Sequence, residues 1–109
     1  MNAIIQYMNI KSLTKEVEDV SLLYTKKFNI DRDDDWFVLK LQEELGELTQ
    51  SYLKMKGKAR TNDKSEKELK DDFAKELADV FSHVLLLAKH NDIDLDEEVK
   101  EKWLVWKKK

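Results

Sequence analysis

Apolar residues recur at intervals of three and four along most of this chain, which is the spacing of one face of an α-helix. Three segments carry such a stripe: Leu13, Val17, Val20 and Tyr24; Phe37, Leu41, Leu45, Leu48 and Tyr52; and Phe73, Leu77, Val80, Val84 and Ala88. The chain has no proline and only two glycines, so the turn residues that a protein of short strands needs are scarce. The pattern predicts an all-α protein.

Polar segments divide the chain into four predicted helices, over about 12–28, 35–55, 65–90 and 94–106. Ser65 and Glu68 have the spacing of a capping box, and Asp94 and Glu97 repeat that spacing before the last helix. Gly57 is expected to end the second helix, and the tail 107–109 is expected to fray. Short amphipathic helices must bury their stripes against one another, so we predict a four-helix bundle in a single domain spanning 1–109.

The composition excludes several functional classes. The net charge is −3, from 20 basic and 23 acidic residues, which argues against duplex nucleic acid as a partner. There is no cysteine, so disulfides and thiolate metal sites are excluded. No apolar run approaches the roughly 20 residues that cross a membrane, and the first residues lack the features of a signal peptide. We therefore expect a cytoplasmic protein without a membrane partner.

Two acidic pairs lie on the two central helices, Glu44 with Glu47 and Glu76 with Asp79. Residues three apart lie about 60° apart on a helix, so each pair points to one side. If Leu41 is the middle of its stripe, the first pair lies about 60° and 120° away from it. If Leu77 is the middle of the other stripe, the second pair lies about 100° and 160° away. Both pairs thus run outward from the edge of an apolar face.

Two interpretations of these acids remain open at this point. Charge runs are usually solvated helix surfaces, and neither pair is specific alone. If the two flanks face each other, however, four carboxylates converge and repel unless cations lie among them. Oxygen ligands of this kind suit Mg²⁺, with Mn²⁺ as a substitute. Gly46, which lies between two acids and costs helix stability, suggests that something approaches closely there.

The compound motif resembles that of the MazG-like all-α nucleoside triphosphate pyrophosphohydrolases. Glu-Glu-Leu-Gly-Glu-Leu, from Glu43, is followed after a spacer by Glu-Leu-Ala-Asp-Val, from Glu76, and the likeness covers about 36–103. The resemblance implies that Glu44, Glu47, Glu76 and Asp79 bind Mg²⁺, and that Glu43 orients or deprotonates the attacking water. It further implies hydrolysis of an NTP or dNTP to the monophosphate and pyrophosphate, by a homodimer or homotetramer. The catalytic residues would be Glu43, Glu44 and Glu47.

Basic residues are weaker candidates for binding the triphosphate. Lys54 lies two helical turns beyond Glu47 and points the same way, although a solvated lysine has the same position. Lys58 and Arg60, in the loop after the second helix, are candidates to close over the phosphates. Lys102 matches a basic position of the family near the C-terminus. The apolar residues that follow Lys102 depart from the family pattern, which puts that contact in doubt.

Aromatic residues offer a second set of substrate contacts. Trp36 lies on the acidic flank and is a candidate to stack on the base, with a structural role as the alternative. His83 lies one turn beyond Asp79 and is a candidate to reach phosphate or metal-bound water, although a bundle histidine without such a role is more common. The first helix and the tryptophans Trp103 and Trp106 are predicted to supply a subunit interface.

Other functions are also compatible with the sequence. Phosphoribosyl-ATP pyrophosphatases and dimeric dUTPases have related folds and acidic motifs, although the chain is short for a dUTPase. A non-catalytic di-iron bundle calls for Glu-x-x-His on two helices. Val80 and Leu87 stand three residues before the two histidines, so that motif is missing. A charged helical interaction module, with its acids in water, is the remaining alternative.

Overall fold

A computed structural model describes residues 8–108, and its regular structure is entirely helical. Four α-helices follow one another: α1 (Ile10–Lys27), α2 (Asp34–Met55), α3 (Glu66–His90) and α4 (Leu95–Lys102). A 3₁₀-helix, Leu104–Lys108, follows α4. The all-α prediction with four helices is therefore confirmed. Among the described residues, no helix combines the length and the apolar character required to cross a membrane.

The predicted helix starts are confirmed by their capping hydrogen bonds. The Ser65 backbone N–H donates to Glu68 Oε1 at 3.1 Å, and the Glu68 N–H donates to Ser65 Oγ at 3.2 Å. The Glu97 N–H donates to the Asp94 side chain at 3.2 Å. These bonds satisfy backbone donors that a helix leaves unpaired in its first turn.

The second helix ends at the predicted glycine. Gly57 has φ +72°, the left-handed conformation that costs glycine nothing, and the Lys58 N–H donates to the Leu53 carbonyl at 2.8 Å. The fourth helix is shorter than predicted, because α4 stops at Lys102 rather than near Trp106. Aromatic and β-branched residues over 103–106 form α-helix less readily, and none of them is buried enough to offset that cost. Lys109 of the predicted tail lies outside the described residues.

The chain separates into two compact units. One comprises the described residues up to Asp31 and from Leu85 onward, and it contains α1, α4 and the last turns of α3. Leu85, Leu86 and Ala88 are its buried apolar residues. The other unit, Arg32–Val84, contains α2, the loop after it and most of α3.

Within Arg32–Val84, α2 and α3 form an antiparallel helical hairpin. The Trp36 ring, at the start of α2, lies 6.2 Å from the ring of His83, near the end of this part of α3. At the other end, the Tyr52 ring lies 5.7 Å from that of Phe73. The middle of each helix, where the acidic pairs lie, therefore faces the middle of the other.

The buried faces of the hairpin follow the predicted apolar stripes only in part. The stripe residues that are buried or half-buried are Phe37, Leu41, Leu48, Phe73, Val80 and Val84, whereas Leu45, Tyr52 and Leu77 are exposed. On α2, the buried line runs through Phe37, Glu44 and the half-buried Ser51, each seven residues from the next. On α3, it runs through Leu69, Glu76 and His83, with the same spacing. Leu77, taken as the middle of its stripe, is 50% exposed, so that prediction is wrong. The first acid of each pair, Glu44 or Glu76, lies within the buried face, whereas the second, Glu47 or Asp79, is exposed.

Candidate metal centre

Three glutamates from the two helices meet in the middle of the hairpin. One carboxylate oxygen from each of Glu44, Glu47 and Glu76 lies within 4.8 Å of the others. We call these three residues the acidic cluster. Glu44 and Glu47 share one side of α2 because they are three residues apart, and Glu76 comes from the facing side of α3. The predicted convergence of acids from two helices is therefore present for three of the four residues.

Glu44 has the environment that most calls for a cation. Its residue is only 8% exposed, and its Oε2 atom is buried without a hydrogen-bond partner. Glu76 Oε2 is likewise buried and unpartnered. Burying a carboxylate oxygen without a partner costs free energy that native proteins normally avoid. The two orphaned oxygens are thus suited to a ligand that accepts their lone pairs.

The pKa values of two residues of the cluster are raised, because burial and neighbouring negative charges disfavour their ionised forms. Burial, followed by the charges of Glu47 and Asp79 and a hydrogen bond shared with Glu47, raises the pKa of Glu44 from 4.5 to about 7. Burial is also the main cause that raises the pKa of Glu76, with Asp79 and Glu47 adding to it. Without a cation, Glu44 therefore holds a proton below about pH 7 and releases it above that pH. A divalent ion and this proton compete for the same oxygens.

The donor set fits Mg²⁺. All three donors are carboxylate oxygens, which hard cations prefer. Mg²⁺ binds oxygen at about 2.1 Å, so that oxygens around it lie about 3 to 4 Å apart. The three oxygens of the cluster lie within 4.8 Å of one another, which is close to that separation.

Asp79 and Glu43 lie at the margin of the cluster. Asp79 is exposed and is not among the three residues whose oxygens meet, although its charge raises the pKa of both Glu44 and Glu76. Glu43 is exposed as well, and its carboxylate lies 3.4 Å from the Lys40 ammonium. The metal role predicted for Asp79 and the base role predicted for Glu43 stay predictions.

Lys40 is a residue of this site that the sequence analysis missed. Its ammonium lies 3.9 Å from Glu44 Oε1, and it is the one cause that lowers the pKa of Glu44. Its spacing of three from Glu43 and four from Glu44 is the helical ion-pair spacing, which was the available signal. Lys40 offsets part of the negative charge of the cluster.

The aromatic candidates lie at one end of the hairpin. Trp36 is half-buried, with its ring 5.0 Å from that of Phe37 in an edge-on arrangement and 6.2 Å from that of His83. Burial, followed by the charge of Lys40, lowers the pKa of His83, so its imidazole is neutral at pH 7. His83 Nδ1 is buried without a hydrogen-bond partner.

The basic candidates are divided between two places. Half-buried Lys54 lines a cleft of about 300 Å³ that also includes Glu76, whereas Lys58 and Arg60 are exposed loop residues outside its lining. Lys64, which was not among the sequence candidates, is the loop residue that lines this cleft, and the phosphate contacts of Lys58 and Arg60 stay predictions. Lys102 is exposed in the last turn of α4, in the other unit of the chain.

Gly46 does not mark a close approach within this chain. A Cβ atom added there would meet no atom within 4 Å, so no described residue packs closely against this position, and the approach of a ligand or partner stays a prediction. We expect Gly46→Ala to raise the free energy of unfolding by about 1 kcal/mol, because alanine loses less backbone entropy in a helix. Urea unfolding followed by circular dichroism measures this change. A destabilised Gly46→Ala variant would contradict the open surroundings of this position.

Comparison of the chain with known protein families, with curated proteins and with solved structures gives no match.

Proposed function

We propose that this protein is a divalent-cation-dependent pyrophosphohydrolase that converts a nucleoside triphosphate, NTP or dNTP, to the monophosphate and pyrophosphate. The observation that carries the proposal is the acidic cluster, in which the nearly buried Glu44 has an oxygen without a partner. The motif resemblance supports the choice of reaction. A charged interaction surface would keep its carboxylates in water, because burying a carboxylate oxygen without a partner costs free energy.

Glu44, Glu47 and Glu76 would hold the cation, and Asp79 would extend this set from the exposed side. When bound, Mg²⁺ neutralises triphosphate charge and lowers the pKa of a coordinated water. Glu44 gives up its proton on binding, and its carboxylate is then fixed by the packing around it. Water adds across the α–β phosphoanhydride bond, and Glu43, outside the buried face, accepts its proton. Lys40 holds Glu43 in place for that transfer.

The panel that tests this function contains the common NTPs and dNTPs, together with phosphoribosyl-ATP, in the presence of Mg²⁺ or Mn²⁺. We expect stoichiometric pyrophosphate and monophosphate from at least one nucleotide. Preference for phosphoribosyl-ATP or for dUTP would select one of the related activities. Release of orthophosphate alone, or no hydrolysis of any substrate, would contradict the proposal.

Self-association is part of the proposal, because α2 leaves a regular apolar arc uncovered. Val38, Leu45 and Tyr52 are seven residues apart and are 49%, 43% and 44% exposed. A stripe with this period suits packing against another helix. Val20, Leu23, Trp103 and Trp106 are also exposed, which supports the same proposal. We propose that a second copy of the chain covers the arc and completes a helical bundle.

We expect the protein to sediment as a dimer or tetramer at micromolar concentration. Leu45→Arg, which puts a charge in the middle of the arc, should weaken the association at least about tenfold, because an unpaired charge cannot be buried cheaply. Leu39→Arg is the matched control, since Leu39 is exposed on the same helix but outside the arc. A wild-type protein that sediments as a monomer would contradict this prediction.

A further inference from the structure

A cleft of about 300 Å³ opens beside the acidic cluster, toward the loop that joins α2 to α3. It is lined by Ser51 and Lys54 of α2, Lys64 of the loop, and Leu69, Asp72, Lys75 and Glu76 of α3. We call it the lysine cleft. Glu76 belongs to both the cleft and the acidic cluster, so a ligand held by the cluster can extend directly into the cleft.

The three ammonium groups of the cleft differ in their pairing. Lys64 binds Asp72 at 2.7 Å, and this contact raises the pKa of Lys64 and lowers that of Asp72. Within the part of the chain that the structure describes, Lys54 and Lys75 form no salt bridge. Two cations therefore lack a direct ion pair, although the charges of both also lower the pKa of Asp72, and the third contacts that half-buried carboxylate. Partly exposed pairs of this kind add little to folding, so an anion can displace Asp72 readily.

The hairpin thus has a polarity along its length. Trp36 lies two helical turns before Glu44, and Lys54 lies two turns after Glu47. The acidic cluster lies between an aromatic end, where Trp36 meets His83, and the basic end formed by the lysine cleft. A nucleoside triphosphate has the same order, with an aromatic base, a phosphate to be attacked and a polyanionic tail.

We propose that the lysine cleft binds the β- and γ-phosphates of the substrate, which leave as pyrophosphate, and that Asp72 competes with them for Lys64. The assignment to a nucleotide tail rests on the function proposed above. Ammonium groups suit this ligand because each is a compact charge with three donors and binds phosphate in several geometries. Ser51 offers a hydroxyl donor at the same wall. The base would lie at the Trp36 end.

The test is calorimetric titration of inorganic pyrophosphate into the full chain, in metal-free buffer and with Mg²⁺. We expect binding under both conditions, with higher affinity when Mg²⁺ is present. The double variant Lys54→Gln/Lys75→Gln should weaken binding in metal-free buffer at least tenfold. Asp72→Asn should strengthen it several-fold because it frees Lys64. Lys70→Gln is the matched control, since Lys70 is an exposed lysine of α3 outside the cleft, and it should bind as the wild type does.

Equal affinity of the wild type and the double variant would overturn the assignment, as would weaker binding by Asp72→Asn or no binding at all. Thermal unfolding of each variant is recorded first, and the two single lysine variants replace the double one if it does not fold. Calorimetry needs no turnover, so the two proposals can fail separately. If pyrophosphate binds as predicted but no nucleotide is hydrolysed, the lysine cleft stands as an anion site and the proposed enzymatic function is contradicted. If a nucleotide is hydrolysed but the lysine variants bind pyrophosphate as the wild type does, the enzymatic function stands and the role of the lysine cleft is contradicted.

Discussion

Replacing any one of the glutamates of the acidic cluster by glutamine is expected to lower nucleotide hydrolysis at least about a hundredfold, with the fold retained. The variants are Glu44→Gln, Glu47→Gln and Glu76→Gln. Each keeps the size of the side chain but removes one charged oxygen ligand from the cation. A hundredfold loss in kcat/KM corresponds to about 2.7 kcal/mol of transition-state stabilisation. Initial rates of pyrophosphate release at saturating Mg²⁺ measure the effect.

Two further variants define what the loss means. Glu101→Gln, an exposed glutamate of α4, makes the same chemical change away from the cluster and should leave the rate unchanged. Asp79→Asn tests a residue that only the motif resemblance assigns to the metal. The motif predicts a loss of hydrolysis as large as that of the three glutamine variants, although Asp79 is exposed. Near-full activity in all three glutamine variants would contradict the assignment of these acids as cation ligands of the active site.

Metal-free protein is expected to lose stability as the pH rises from about 4.5 to about 7, and Mg²⁺ is expected to restore it. Glu44 has an ordinary pKa of 4.5 when unfolded and about 7 in the folded chain. In that window the folded state therefore holds a proton that the unfolded state has released, so raising the pH favours unfolding. Above about 7 both states are ionised, and the destabilisation is complete. Glu76, with its raised pKa, acts in the same direction.

His83 acts in the opposite direction and has to be separated from this effect. Its pKa is lowered in the folded chain, so below its ordinary value of 6.5 the unfolded state binds more protons and stability rises with pH. The informative quantity is therefore the difference in melting temperature between the wild type and Glu44→Gln, because the contribution of His83 cancels in that difference. Without metal, Glu44→Gln should melt at a higher temperature than the wild type at pH 8, and the gap should narrow toward pH 5.

If the acidic cluster is the cation site, Mg²⁺ binds it only in the folded chain, so Mg²⁺ should raise the melting temperature of the wild type and not that of Glu44→Gln. The rise should be larger at pH 8 than at pH 6, because at pH 6 the cation must first displace the proton of Glu44. Scanning calorimetry without Mg²⁺ and at Mg²⁺ concentrations increased in 10-fold steps measures the rise in melting temperature and its dependence on pH. A wild type whose melting temperature ignores Mg²⁺ at both pH values would contradict the assignment.

The local features of this fold follow closely from the sequence because they depend on neighbouring residues. The capping pairs at Ser65 and Asp94 and the stop at Gly57 involve residues within one turn. The spacing of Glu44 and Glu47 likewise determines that both point to one side of α2. The end of α4 was less predictable, since the residues after Lys102 keep an apolar pattern that the structure leaves exposed.

The direction of the buried faces was not predictable in the same way. Hydrophobic periodicity shows which residues are apolar, and it does not show which of them the chain itself covers. Leu45 and Leu77 therefore looked like core residues, whereas the hairpin buries Glu44, half-buries Glu76 and leaves both leucines exposed. The Lys64 contact with Asp72 joins the loop to α3 across eight positions, a distance that no helical spacing rule covers.

Mn²⁺ titration followed by electron paramagnetic resonance tests whether Glu44, Glu47 and Glu76 together bind a divalent cation. Free Mn²⁺ gives a strong signal that is lost on binding, so the decrease in signal measures the number of occupied sites. We expect at least one saturable Mn²⁺ site per chain in the wild type, from which Mg²⁺ displaces Mn²⁺, and loss of this site in Glu44→Gln. Equal Mn²⁺ binding by the wild type and by Glu44→Gln, or none by either, would contradict this prediction.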